Sequence, residues 1–205
     1  MPKQVTEWKG CEKLVYAELI TDTAEAFETG EVKDLAPVQE INNSTEVSSE
    51  TKFYDNAAAL VMTGEGGETV NFICGIPSDE VLADIAGRVY DTATKTFLEV
   101  PRKNKYFAVG YIYNEITASG EQRVFVWKYK GTFGIPEETH VTKDDGTDSN
   151  NITLPFTSIF TTHVFKNGEG AGKPSKLRGI RRRESAELNE DAFFASVVTP
   201  DTENA

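Results

Sequence analysis

The chain predicts a mainly β fold: a sandwich or partial barrel with one flanking α-helix, an extended loop, and arms at both ends. Three observations predict it. Between Lys105 and Glu138, KYFAVGYIYNEI and RVFVWKYKGTFGIPEE flank a short polar linker holding Gly120. Two such runs, dense in aromatic and β-branched residues, are the mark of a β-hairpin. From Glu40 to Lys52 every even position is polar, a period that an extended strand turns into one wet face. Only Ser78 to Gly87 carries an apolar stripe at helical spacing.

Taken in order, residues 1–10 show no period and are expected to form an arm or a frayed end. Lys13 to Leu19 reads as a first short strand, broken by Thr21-Asp22-Thr23, and the acidic, irregular stretch that follows closes on Pro37. The next strand carries Glu40, Asn42, Ser44, Glu46, Ser48, Glu50 and Lys52 on one face and Ile41, Val47 and Phe53 among weaker residues on the other. Such a strand is either an exposed strand or polar loop, or the lining of a hydrophilic passage. Ala57 to Met62 continues as strand, and Thr63 to Gly67 turns it. These glycines precede a strand instead of a helix, which excludes a nucleotide loop. Glu68 to Ile76 alternates Val70, Phe72, Cys74 and Ile76 with polar residues, a half-buried strand.

Pro77 stops that strand. Ser78 then caps a helix whose first turn holds Asp79 and Glu80, with Val81, Leu82, Ile85 and Val89 as its stripe and Gly87 as its closing residue. Val89 to Lys103 connects to the hairpin. There, period 2 groups Phe107, Val109, Tyr111 and Tyr113 on one run, and Phe125, Trp127, Tyr129 and Phe133 on the other. The aromatic side is expected to be buried, and the opposite side to mix small apolar with charged residues. A hairpin of this kind needs further strands, so it is expected to be the spine of a larger sheet. Lys143 to Asn151 is a polar loop whose Asp144, Asp145 and Asp148 lack the order of a calcium loop. Ile152 to about Phe165 reads as the last long strand. Gly168 to Ser175 reads as a flexible hinge; Lys173 is followed by Pro174, which is not the pattern of a phosphate loop.

A net charge of -12 and a pI near 4.7 argue against a sequence-reading nucleic-acid binder. No run approaches the roughly 20 apolar residues of a membrane helix, and the N-terminus has no apolar segment of a signal peptide. Cys11 and Cys74 form neither a CxxC nor a metal spacing and are expected as free, buried thiols. With two histidines, His140 and His163, and no GxSxG or HExxH, no catalytic constellation is present. The expectation is a non-enzyme with no cofactor, no metal and no small-molecule substrate.

The charge inverts near the C-terminus. Of 21 basic and 33 acidic residues, seven basic and one acidic fall between Lys166 and Arg183, so the remainder holds 14 and 32. The boundary predicts an acidic body over 1–165 and a basic arm over 166–205. Lys173, Lys176, Arg178, Arg181, Arg182 and Arg183 read either as a solvated tail or as an arm that docks on an acidic neighbour, a second copy included. Phe193 and Phe194, too apolar for water, favour docking. An arm of this kind is expected to be poorly ordered in a lone protomer, so that a chain cut after Gly168 still folds.

Several of these stretches together resemble the major tail (tail tube) proteins of siphophages. VFVWKYKGTFGIPEE over Val124 to Glu138, followed by Thr142-Lys143, is similar to that family's basic-aromatic strand, KGxF step, Pro-Glu turn and Thr-Lys pair. KYFAVGY, Tyr16-Ala17, the helix IPSDEVLADIAG and the closing aromatic-then-Val-Pro segment also resemble it; Phe53-Tyr54-Asp55-Asn56 matches in part. The resemblance implies a tail-tube-type β-sandwich that forms hexameric rings, stacked through an extended loop and terminal arms. It implies a virion protein made in the host cytoplasm, with the tape measure protein and tail-end proteins as partners and DNA as transient, non-specific cargo. Under that reading Glu40, Glu46 and Glu50 face the lumen, Thr21 to Pro37 contacts the adjacent ring, and the basic segment is the inter-subunit arm. The alternative is a monomeric β-sandwich module of a virion that binds a receptor or a carbohydrate.

Overall fold

The computed structural model describes residues 6–118, 120–136 and 151–202. Its strands are β1 (Glu7–Asp22), β2 (Phe27–Thr29), β3 (Lys33–Asp34), β4 (Val38–Tyr54), β5 (Ala57–Cys74), β6 (Val89–Asp91), β7 (Thr96–Leu98), β8 (Phe107–Thr117), β9 (Gly120–Phe133), β10 (Ile152–Ser158) and β11 (Gly179–Arg183). The helices are α1 (Asp79–Ala86) and α2 (Glu190–Phe194). The fold is mainly β, as expected. Nine strands make one antiparallel sheet in the order β2-β1-β8-β9-β10-β5-β4, with β3 added to β1 and β11 to β9; β6 and β7 form a separate ribbon. His140, Thr142-Lys143 and the acidic loop through Asn150 lie outside the described residues.

β8 and β9 are the middle of the sheet, and their register corrects the expected sidedness. Thr117 stands opposite Gly120, so Val109 pairs with Lys128, Tyr111 with Val126 and Gly110 with Trp127. Odd positions of one strand therefore share a face with even positions of the other. The two aromatic sets point to opposite sides, because the parity of the turn decides which side chains coincide. A bulge between the Phe107 and Val109 pairs adds one residue to β9 and moves Phe133 onto the face opposite Trp127. Phe107, Val109, Tyr111, Val126 and Phe133 enter an inner core with Tyr16, Phe72, Leu154 and Phe156. Phe125, Trp127 and Tyr129 enter an outer core with Ala108, Ile112, Phe165, Phe193 and Phe194. Both faces of the hairpin are thus dry.

The inner core is closed by α1. Its N-cap Ser78 accepts a hydrogen bond from the Val81 amide, and Gly87 ends it in the left-handed conformation at φ 63°. A Cβ at Gly87 would fall 2.0 Å from the Lys103 carbonyl oxygen, so no other residue fits. Val89, expected on the helical stripe, lies beyond that cap in β6 and is exposed. Asp84 ties the helix to the sheet: it accepts from the Tyr16 hydroxyl at 3.1 Å and pairs with Lys105 at 2.7 Å.

Three segments differ from expectation at the ends. β1 starts at Glu7 and is registered against β8 from there, so the described part of the N-terminus is sheet and not an arm. Two bulges, at Gly10 (φ 80°) and Lys13 (φ 52°), coil it. Thr21 to Pro37 folds back on β1 as β2 and β3. The Gly168 to Ser175 loop is closed, not a hinge: Phe165 and Ser175 exchange both backbone hydrogen bonds, and Asp201 accepts from the Lys166 and Asn167 amides at 3.0 Å.

Candidate assembly surface

β4 and β5 are 17 and 18 residues long and pair along nearly their whole length, but only their first and last residues belong to the body. β10 pairs with Glu68 to Cys74 of β5 and no further. Beyond that point the two strands continue as a ribbon. Among the described residues no strand covers the outer edge of β4 or the edge of β5 from Ala57 to Gly67. Both edges present unpaired amide and carbonyl groups, a template for another strand.

The sequence explains why this ribbon forms and why it is left uncovered. Strict alternation along β4 keeps Glu40, Glu46 and Glu50 on one face with Asn42, Ser44 and Ser48, all exposed. Asn42 donates to Glu40 at 2.8 Å, and Lys52 pairs with Glu50. The other face starts in the inner core at Ile41, opposite Phe72, and runs out past Val47, Ser49 and Thr51 opposite Glu65, Thr63 and Val61. Val47 is 68% exposed, Phe53 66% and Met62 54%. From Ala57 to Gly64 β5 carries no charge, while Glu50 and Lys52 stand opposite it on β4 and Asp55 lies in the turn. It is a two-stranded, partly apolar element standing in water, an arrangement marginal by itself.

The base of the ribbon is clamped. A bulge separates the Thr45–Glu68 and Val47–Glu65 pairs, giving β5 one extra residue. Arg178, from the segment leading into β11, reaches this bulge: it donates to Glu65 Oε1 at 2.7 Å and to the Gly66 carbonyl at 2.7 Å, and its guanidinium lies 4.4 Å over the Phe160 ring. Beside it Lys128 Nζ bonds both oxygens of Glu68 at 2.7 Å, with only 12% and 8% of those side chains exposed. Burial holds the Lys128 ammonium below its ordinary range, against the opposing pull of Glu68. The sequence reading missed this cluster; its traces are Lys128 within the aromatic run of β9 and Glu68 at the start of the alternating half of β5.

The basic C-terminal segment is therefore not a free arm. β11 pairs with Val124 to Lys128 of β9; Arg181 stacks over Tyr113, and Arg183 pairs with the buried Glu115 at 2.8 Å. Arg182 stands opposite Phe125, while Lys173 in the closed loop and Lys176 just after it are exposed. Phe193 and Phe194 are buried on the chain's own hairpin, where the Phe193 carbonyl accepts from Trp127 Nε1 at 3.2 Å and the Val198 carbonyl from the Tyr129 hydroxyl at 3.0 Å. Glu190 at the start of α2 binds Lys13 at 2.7 Å and Arg123 at 2.5 Å. The acidic surface this segment meets is its own, because the outer face of β8–β9 is aromatic and needs a cover.

A groove opens where the sheet curls until the start of β1 approaches the start of β4 without pairing. The Cys11 thiol donating to the Gln39 carbonyl at 3.4 Å is the bridge between them. The groove holds about 490 Å³ and is lined by Trp8, Cys11, Ile41, Tyr111, Tyr113 and Arg181 among others. Asn43 Nδ2 donates to the Tyr111 hydroxyl at 3.1 Å across its floor.

Among the described residues no group of three or more His, Cys, Asp or Glu side chains is arranged to hold a metal ion, and no helix is long and apolar enough to cross a membrane. No protein-family model matches the chain, and no curated protein matches it in sequence.

Proposed function

We propose that this chain is a tube-forming structural subunit of the siphophage major tail protein type. Copies assemble into stacked hexameric rings around a bore that encloses the tape measure protein and later passes DNA. The observation that carries this reading is the β4–β5 ribbon, which among the described residues has no strand on its β5 edge from Ala57 to Gly67 or on its β4 edge. A monomer gains nothing from an exposed edge of this length and risks aggregation through it. A ring or stack uses it as an interface. The wet face of β4 carries Glu40 beside the groove and Glu46 and Glu50 on the ribbon, and a bore lined by carboxylates repels the DNA phosphates and keeps passage free of sticking.

Negative-stain microscopy across a concentration series tests the proposal. Hollow tubes or ring stacks are expected at high concentration. A monodisperse monomer at every concentration, with the Ala57 to Gly67 amides protected from exchange, would overturn it. In tubes that form, replacing Glu40, Glu46 and Glu50 together by Lys is expected to leave rings intact and to make the bore retain DNA; unchanged DNA retention removes those three from the lumen.

A further inference from the structure

Of the large apolar side chains described, Trp8 is the most exposed, at 80%. A bulge in β1 aims it. Trp8 stands opposite Glu115 and Cys11 opposite Tyr113, so three steps along β1 match two along β8. The extra residue is taken up at Gly10, whose φ of 80° suits a glycine. Without the bulge, Trp8 and Cys11 would lie on opposite sides of the sheet. With it, the indole joins Cys11 and Tyr113 at the groove between the starts of β1 and β4, edge-on to the Tyr113 ring at 6.5 Å.

We propose that this groove is a carbohydrate site and that it takes a neutral oligosaccharide of pyranose rings. A pyranose presents C–H bonds on its faces and hydroxyls around its rim. Trp8 and Tyr113 offer aromatic surface to the faces. Gln39, Asn42 and Asn43 on β4 bring amides to the rim, and an amide both donates to and accepts from a hydroxyl. Arg181, held 5.5 Å over the Tyr113 ring, adds donors that make no ion pair among the described residues. The volume of about 490 Å³ lies within the range of small-ligand sites, roughly 300–1,000 Å³.

Other occupants fit this lining less well. A purely aromatic ligand would stack but leave the amides without partners. An anion meets Glu40 and a chain of net charge -12, and a cation meets Arg181. A peptide strand would need about 9.5 Å between β1 and β4. There the Cys11 thiol already reaches the Gln39 carbonyl at 3.4 Å. The groove is complete within one chain, so sugar binding does not depend on assembly.

Tryptophan emission supplies the test, because Trp127 is fully buried and a ligand in the groove perturbs Trp8. The full chain is titrated with neutral gluco-, manno- and galacto-oligosaccharides, with an oligogalacturonate and with a proline-rich peptide. A blue shift with at least one neutral sugar is expected, and saturation-transfer NMR should place the contact on its ring C–H protons. By calorimetry, Trp8→Ala should weaken that binding about tenfold and Trp8→Phe less. Asn42→Ala, at an exposed position, should weaken it while the emission change persists. Undiminished binding to W8A overturns the groove as the site. Tighter binding of the oligogalacturonate or the peptide than of every neutral sugar overturns the ligand class. No response to any of the neutral sugars overturns the proposal, whether or not the same preparation forms tubes.

Discussion

Arg178 and Glu65 meet at 2.7 Å across the point where the β4–β5 ribbon leaves the body. The same guanidinium caps the Gly66 carbonyl that the bulge leaves without a ladder partner. One side chain from the C-terminal segment thereby braces the bulge at the ribbon base.

Arg178→Ala is expected to keep the body folded and to loosen the ribbon base. Hydrogen exchange should accelerate at least tenfold in 62–67 while β8 and β9 stay protected. The charge swap Arg178→Glu with Glu65→Arg should recover part of that protection. Equal exchange in parent and R178A would show that the bulge holds its angle unaided.

The Lys128–Glu68 pair makes a second case. Removing Glu68 strands the Lys128 ammonium, so Glu68→Ala should cost about 3–5 kcal/mol; Lys128→Ala should cost less, because Arg178 stands 3.9 Å from the Glu68 carboxylate. Replacing both together, as Lys128→Met with Glu68→Leu, should be close to neutral. Denaturant unfolding of the three variants measures the difference; additive losses would mean that the pair acts through packing alone.

Truncation after Gly168 removes Phe193, Phe194 and Val197 from the outer core and β11 from β9. The truncated chain is expected to be insoluble or molten, binding a hydrophobic dye, because Phe125, Trp127 and Tyr129 lose their cover. Phe194→Ala in the full chain should cost about 3–5 kcal/mol. A folded, soluble 1–168 fragment would restore the segment to the status of a dispensable arm.

Acid should unfold the protein through two aspartates. Burial by itself raises the pKa of Asp84, but hydrogen bonds from Lys105 and Tyr16 outweigh it and hold the carboxyl below its ordinary value. At Asp22 burial is likewise outweighed, by Lys130 and the Thr162 and His163 amides. With folded values below unfolded ones, both contribute stability at neutral pH that is lost as pH falls below about 4. The thermal midpoint should drop steeply in that range. Asp84→Asn should lower the midpoint at pH 7, by about 1–3 kcal/mol of stability, and flatten the acid slope; an unchanged slope would assign it elsewhere.

Alternation along β4, the density of aromatic and β-branched residues in β8 and β9, and the Ser78 and Gly87 caps of α1 are local patterns, and each was legible in the amino-acid order alone. Local periodicity cannot say which faces coincide. The parity of the Thr117–Gly120 turn sent the two aromatic sets to opposite sides of the sheet, and the single-residue bulge near Tyr129 returned Phe133 to the inner side. That placement created a second apolar face, and the aromatic residues at the C-terminus were recruited to cover it. A charge run read from sequence shows that a segment is basic. Whether it finds its acids on its own body or on a neighbour depends on which surface lies within reach, and the pairing of β11 with β9 brought Glu65 and Glu115 there first. The clamp at the ribbon base and the groove at its root were likewise decided only when strands distant in the chain came side by side.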